Sequence, residues 1–296
     1  MMYYLQKVNV ILEHMEYKLS FLPLQEELRL CGVSMELCEF DTAEAWKMLE
    51  TLAADGVKVQ GVLWLTDNAA LARRLAEGHH PVLAFLHGDN VGADFGEVRY
   101  ACEKPEEMEI SYLEDVYRRC KGLPLDILTT ERLFLRETTE EDVDEFYRIY
   151  EEPSITRYME GLYSDRQEEK AYIREYIEKI YGFYDFGVWT VGKRETGEVI
   201  GRAGFAYREG FEDPEIGFVI GVPWQRQGYA YEICSAILKY GWEQLEFTKV
   251  RALVQPGNEA SLHLCRKLGM EYQGNVKDRG IEYNCMILCR KKEIYA

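Results

Sequence analysis

The hexapeptide Gln225-Arg226-Gln227-Gly228-Tyr229-Ala230 has the residue types and the setting to hold a phosphate-bearing molecule. It follows the apolar run Ile216-Gly217-Phe218-Val219-Ile220-Gly221-Val222, which is rich in β-branched and aromatic residues and flanked by Pro214 and Pro223. Such a run reads as a strand. The segment that follows, residues 231–247, places Ile233, Ile237, Leu238, Trp242 and Leu245 near one face at helical spacing. Between strand and helix, Gly228 lets the backbone come close to a ligand. The free N–H groups of the first helical turn then point at an anion. The same residues would also suit an ordinary glycine-containing β–α turn.

The neighbouring elements narrow the choice. Arg132-Leu133-Phe134-Leu135-Arg136 alternates and predicts a strand. Thr139 is placed to cap the next helix, residues 140–151, with Asp142 where a capping box has Glu or Gln. That helix stops near Pro153. A second helix is expected over 167–180, with Tyr172, Ile173, Tyr176, Ile177 and Ile180 on one face. Strands follow at 188–191 and 199–205, joined by a turn at 195–198. After the loop and long helix come a strand at 249–254, a helix at 259–268 ending at Gly269, and strands at 271–273 and 283–288.

The order β-α-α-β-β-β-α-β-α-β-β, with Gln-x-x-Gly-x-Ala at its centre, resembles the GNAT acetyltransferases. So does Asn258-Glu259-Ala260-Ser261 followed by Lys267-Leu268-Gly269-Met270. The resemblance covers about residues 129–291. The opening Arg132-Leu133-Phe134-Leu135-Arg136 and the Glu215-Ile216-Gly217-Phe218 run are similar to the branch that contains ribosomal-protein N-terminal acetyltransferases. It implies a GNAT fold, a mixed central sheet with flanking helices, and an acetyl-CoA-dependent N-acetyltransferase. In such an enzyme a primary amine, on a small molecule or a peptide N-terminus, attacks the thioester directly. The alternative is a non-catalytic acyl-CoA sensor.

The resemblance also implies site residues. The cofactor cradle maps onto Gln225, Gln227, Gly228, Tyr229 and Ala230. Main-chain groups of Ile220 and Val222 would pair with the pantetheine arm. Asn258 would hydrogen-bond the pantetheine or an ordered water, and Ser261 would sit near the cofactor one turn later. Glu215 is the candidate base, with a raised pKa expected if it is buried among Phe218, Tyr207 and Trp189. Many family members carry an acidic tyrosine seven residues after the asparagine, but here that position is Cys265. Tyr283 or Tyr272 would substitute, or no dedicated acid is needed, because a thiolate leaves fairly easily. The tyrosines at 158, 163, 172, 176, 181 and 184 gather on the two helices that cover the acceptor pocket in this fold.

The first 127 residues are expected to form a separate, small parallel-sheet α/β domain, with 128–296 as the second domain and residues 122–126 as linker. Residues 61–67 read as a buried parallel strand, 69–76 as a helix capped by Asp67 or Asn68, and 81–86 and 98–101 as strands. Helices are expected over 111–120 and 42–54. The pattern resembles a haloacid-dehalogenase-like or other Rossmann-like unit. Phosphatase chemistry there needs an aspartate pair at the end of the first strand, and Phe40-Asp41-Thr42 does not supply it. The domain is therefore expected to bind, regulate or dimerise rather than catalyse phosphoryl transfer. His79-His80 reads as a solvated turn. His87-Gly88-Asp89-Asn90 follows a strand end, where α/β proteins bind ligands, or is a plain loop.

Composition excludes other classes. The 296 residues carry a net charge of −17, which argues against nucleic-acid binding and favours cationic partners such as amines. No apolar stretch approaches the ~20 residues of a membrane span, and no signal-peptide pattern opens the chain, so a cytoplasmic protein is expected. The eight cysteines form no Cys-x-x-Cys pair. They predict reduced thiols with neither disulfide nor metal. Homodimerisation is left open.

Overall fold

The computed structural model describes residues 3–41, 43, 47 and 60–290. The chain divides into two compact units, Met1–Leu125 and Asp126–Ala296.

In the first unit, β1 (Lys7–Leu12), β2 (Ser34–Glu39), β3 (Val62–Thr66), β4 (Val82–Phe85) and β5 (Tyr100–Cys102) form one sheet in the order β2-β1-β3-β4-β5. Every pairing is parallel. Helices α1 (Leu22–Leu30), α2 (Ala69–Glu77) and α3 (Ile110–Cys120) complete it. Alternate residues of the strands serve opposite faces, so two cores form. Val8, Val10, Leu12, Leu63 and Leu65 pack with Leu24 and Leu28 of α1 and Leu113 and Val116 of α3. Ile11, Val62 and Trp64 pack with Leu71, Ala72 and Leu75 of α2. Helices on both faces explain why β3 is buried along its whole length. The order is that of a flavodoxin-like doubly wound sheet. It establishes a parallel-sheet α/β unit and does not itself carry the haloacid-dehalogenase likeness.

The first strand escaped the sequence reading. It is β1, not the stretch ending at Phe40-Asp41, which follows β2. β2 lies at the sheet edge with mostly exposed residues, so it lacks the apolar run that marks a buried strand. The helix expected over 42–54 falls outside the described residues, apart from Ala43 and Lys47, which are helical.

The second unit is an eight-stranded mixed sheet in the order β12-β13-β11-β10-β9-β8-β7-β6. Its strands are β6 (Asp126–Thr129), β7 (Leu133–Arg136), β8 (Val188–Lys193), β9 (Val199–Ala206), β10 (Glu215–Ile220), β11 (Lys249–Val254), β12 (Glu271–Asp278) and β13 (Ile281–Cys289). Asp126 thus belongs to a hairpin strand of this sheet rather than to a linker. Helices α4 (Val143–Tyr150), α5 (Arg166–Tyr176), α6 (Tyr229–Glu243) and α7 (Glu259–Lys267) flank the sheet. Ile216 and Ile220 turn to the face packed by Ile233 and Ile237 of α6. Val219, of opposite parity, packs with Ile149 of α4.

Thr139 and Asp142 form the capping box, in a 3-10 turn that leads into α4. Asp142 also accepts from both Arg136 Nη atoms at 2.7 and 2.6 Å and from the Thr190 hydroxyl at 2.9 Å. One buried carboxylate thereby ties the helix start to β7 and β8. Among the described residues, no helix is long and apolar enough to cross a membrane.

Candidate active site

Strands β10 and β11 are the parallel neighbours in the centre of the second sheet, and they share a single residue pair, Glu215↔Arg251. On its other edge β10 keeps a full antiparallel ladder with β9, from Glu215↔Ala206 to Ile220↔Gly201. The Gly221 N–H bonds the Ile200 carbonyl at 2.9 Å. In an antiparallel ladder alternate residues turn to the partner. Gly217, Val219 and Gly221 therefore face β9, and the main-chain groups of Phe218 and Ile220 face the gap where β11 has parted. The sheet opens there into a slot along which the Phe218 peptide groups and the Ile220 N–H have no strand partner.

The slot leads to the start of α6. Gly228 is the N-cap residue of that 15-residue helix and has φ 86°, a left-handed conformation suited to glycine. A Cβ there would meet only the Arg132 Nη2, at 3.4 Å. The following N–H groups, from Tyr229 and Ala230 onward, open the helix with no side-chain cap. That matches an anion cradle. The loop is braced from within. Gln225 Nε2 donates to the Ile220 carbonyl at 2.9 Å, and Gln227 Nε2 to the Pro223 carbonyl at 3.0 Å. Both side chains therefore shape the loop. Arg132 Nη1 donates to the Gln227 carbonyl at 3.1 Å, its guanidinium lies 4.4 Å from the Tyr229 ring centroid, and it pairs with Glu232 at 2.6 Å.

Val222 is not part of the strand. β10 ends at Ile220, and Val222–Trp224 is a 3-10 turn. Pro223 has no N–H to continue a ladder, and the Gln225 amide takes the last strand carbonyl. Of the two residues expected to line the pantetheine arm, Ile220 keeps its place along the slot and Val222 stands at its end. Asn258 caps α7 by accepting the Ser261 N–H at 3.2 Å. Its carbonyl is thus used, and its amide nitrogen is the group left to donate.

Glu215 lies where the two strands part. Its surroundings are charged, not the aromatic cage expected. Arg208 Nε donates to its carboxylate at 2.6 Å and Nη2 at 3.3 Å, and the Leu253 N–H is directed at it. Arg208 Nη1 also holds Asp278 at 2.7 Å. Trp189 lies instead in the core against Phe205 and Tyr240, because its strand position faces α6. Burial pushes the Glu215 carboxyl above the usual range, and Arg208 draws part of that shift back. Tyr283 stands 5.4 Å from the same guanidinium. Arg208 thus brings Glu215 and Tyr283 to one place, an arginine that no sequence pattern singles out. Cys265 is buried, and burial pushes its thiol up to about 11, which makes it a packing residue. Tyr272 is exposed and donates to Asn275 at 2.7 Å.

Tyr163, which like Tyr158 lies in the loop before α5 rather than on a helix as expected, begins a run of rings with Tyr172, Tyr176 and Tyr181, with centroids 5.8, 6.0 and 5.3 Å apart. Beside them lies Arg202, buried, its guanidinium 4.6 Å from the Phe146 centroid. An alternating strand with one arginine carries no mark of this, since Arg202 reads in sequence as a solvent-facing residue.

Comparison with known proteins bears on this unit. The family described as "Acetyltransferase (GNAT) domain" matches residues 132–271. The uncharacterized protein YkkB of Bacillus subtilis (strain 168) is 33% identical over 161 residues, 51% of this chain and 88% of that protein. The uncharacterized N-acetyltransferase YoaA of the same organism is 33% identical over 152 residues, 50% of this chain and 84% of its own length. The [ribosomal protein uS5]-alanine N-acetyltransferase of Escherichia coli (strain K12) is 28% identical over 169 residues, 53% of this chain and 84% of that enzyme. A solved acetyltransferase structure from Agrobacterium tumefaciens str. C58 aligns with 56% of this chain and 95% of its own at 22% identity and a TM-score of 0.49. With a GNAT domain matched across the parted strands and the Gly228 loop, and with relatives one-third identical over most of their length, the chain belongs to the GNAT family of N-acetyltransferases.

Proposed function

We propose that the second unit transfers an acetyl group from acetyl-CoA to a primary amine, with Glu215 as the proton acceptor. The observation that carries this reading is the slot between β10 and β11, edged by the Phe218 peptide groups and the Ile220 N–H, together with the uncapped N-terminus of α6. An extended pantetheine arm needs a free strand edge, and a pyrophosphate needs a helix N-terminus. Both lie in line here. Acetyl-CoA supplies a thioester carbonyl open to attack by an amine.

The chain's own groups have separable tasks. The N–H groups of Gly228, Tyr229 and Ala230 hold phosphate oxygens. The Phe218 peptide groups and the Ile220 N–H align the arm, and an N–H of this edge polarises the thioester oxygen. Asn258 donates its amide to the arm, with Ser261 one turn beyond. Glu215 takes a proton from the incoming ammonium, directly or through one water. Its raised pKa suits a base that must be ionised yet retain basicity. Arg208 positions that carboxylate. Tyr283, whose ring centroid is 5.4 Å from the Arg208 guanidinium, is the group that returns a proton to the departing thiolate. The acceptor is a small molecule or a peptide N-terminus, in keeping with the named activity of the uS5-alanine N-acetyltransferase among the relatives.

Calorimetric titration with acetyl-CoA, beside a Gly228→Glu variant, tests the cradle. Micromolar binding that is lost in the variant supports it, and a screen of amines for CoA release then identifies the acceptor. Absence of binding to the folded wild-type chain would sink the proposal.

A further inference from the structure

The first unit contains a cluster unrelated to the acetyltransferase site. In the order β2-β1-β3-β4-β5 the chain winds one way from β1 and the other way from β3. Connections leaving these neighbours diverge and open a crevice at their carboxyl ends, where doubly wound sheets bind ligands. His14 follows β1 by two residues, Asp67 follows β3 directly, and His87 follows β4 by two residues. The Asp67 side chain is wholly buried. Its Oδ1 accepts the Glu13 N–H at 2.6 Å and its Oδ2 the His14 N–H at 2.9 Å, so the backbone aims the carboxylate. Two imidazole nitrogens reach the same Oδ2, His14 Nδ1 at 3.1 Å and His87 Nε2 at 3.2 Å. The His87 ring is held in place by stacking on Tyr17, with centroids 4.2 Å apart, whereas His14 remains partly open to solvent.

We propose that His14 Nδ1, Asp67 Oδ2 and His87 Nε2 bind one divalent transition-metal ion of the zinc type. The three atoms lie within 4.8 Å of one another. Ligands about 2.0–2.2 Å from a tetrahedral zinc ion stand roughly 3.3 Å apart, close to the two nitrogen–oxygen separations seen. Two imidazoles and one carboxylate suit a borderline ion rather than magnesium or calcium. Three protein ligands leave a position open, as in catalytic rather than structural zinc sites.

The protons can be accounted for. Without metal, each imidazole donates an N–H to Asp67, and His87 Nδ1 accepts the Asp89 N–H at 3.2 Å. With metal, each neutral ring shifts its proton to its other nitrogen. For His14 that is Nε2. For His87 it is Nδ1, which then needs an acceptor in place of a donor. The Asp89 carboxylate is 3.8 Å away and is steadied by the Tyr17 hydroxyl at 2.6 Å. A small turn of Asp89 completes a carboxylate–histidine–metal chain. Asp67 and Asp89 make the surroundings anionic, which favours a cation.

The test uses the full-length chain, stripped with a chelator and titrated with Co²⁺ under argon. The expected result is one equivalent bound, with visible d–d bands of a four- or five-coordinate ion, no thiolate charge-transfer band, and displacement by Zn²⁺. His14→Ala and His87→Ala should abolish the bands, and Asp89→Asn should weaken binding about 10-fold. Because His14 is partly exposed, its variant keeps the test valid even if the buried His87 cannot be replaced without unfolding. A folded wild-type chain that takes up no Co²⁺ would overturn the proposal and leave the cluster as a closed hydrogen-bond network. Uptake unchanged in His14→Ala, or accompanied by thiolate bands, would overturn it equally.

Discussion

The Glu215 carboxylate answers to two opposing influences, and their balance makes it testable. Burial raises its pKa, while Arg208 at 2.6 Å lowers it. With Glu215 as the proposed base, acetyl transfer needs the carboxylate ionised, so the rate should fall as pH drops through a value above the ~4.3 of an ordinary glutamate. Replacing Arg208 by Met removes the lowering influence and should move that acidic limb to higher pH, a shift visible in a kcat/KM profile. Glu215→Gln should reduce kcat by about 100-fold or more with acetyl-CoA affinity unchanged by calorimetry. Equal loss of binding would assign Glu215 to the slot's architecture instead. Tyr283→Phe should lower kcat without moving the acidic limb. Glu215 was legible in the sequence because it opens the strand before the glycine loop. Arg208 was not, because its importance arises only when the β9–β10 connection folds back over Glu215 and meets Asp278 from another hairpin.

At the scale of elements, the loop and the caps dominate. Gly228 has φ 86°, and a Cβ there would meet only the flexible end of Arg132, its Nη2 at 3.4 Å. Gly228→Ala should therefore cost about 1–2 kcal/mol through backbone conformation rather than through a clash, and should weaken acetyl-CoA binding as the first-turn N–H groups shift. Denaturant unfolding and calorimetry report the two effects separately. The Thr139 capping box predicts a cost of about 1 kcal/mol for Thr139→Ala, a fall of about 2–4 °C in the unfolding temperature of this unit. Caps and turns of this kind were readable in advance, since Thr139 with Asp142 and Asn68 before α2 act on backbone within three residues. The edge strands were not. β2, mostly exposed, and β6, short and half-buried, carry little apolar pattern, and their pairing is decided by distant partners.

For the whole molecule, two compact units with cores of their own predict two events on heating. Acetyl-CoA at about 100 times its Kd should stabilise only the second unit, by about 2.7 kcal/mol. A single transition shifted as one would show that the units unfold together. The sequence by itself determined the class of each unit. Strands buried on both faces demanded a parallel sheet in the first, and the glycine loop between strand and long helix pointed to the proposed cradle in the second. Both features are written in near neighbours along the chain, where periodicity and turn chemistry act. Only the tertiary structure decided which residues meet. Asp67 could be read as a helix cap and His87 as a loop residue. They join His14 because β1, β3 and β4 lie side by side, 53 and 20 residues apart along the chain from Asp67 to its two partners. The slot between β10 and β11 is of the same kind. Nothing local in either strand announces that they part after one residue pair, since a gap in a sheet belongs to two strands at once and is set by how each is held by its other neighbour.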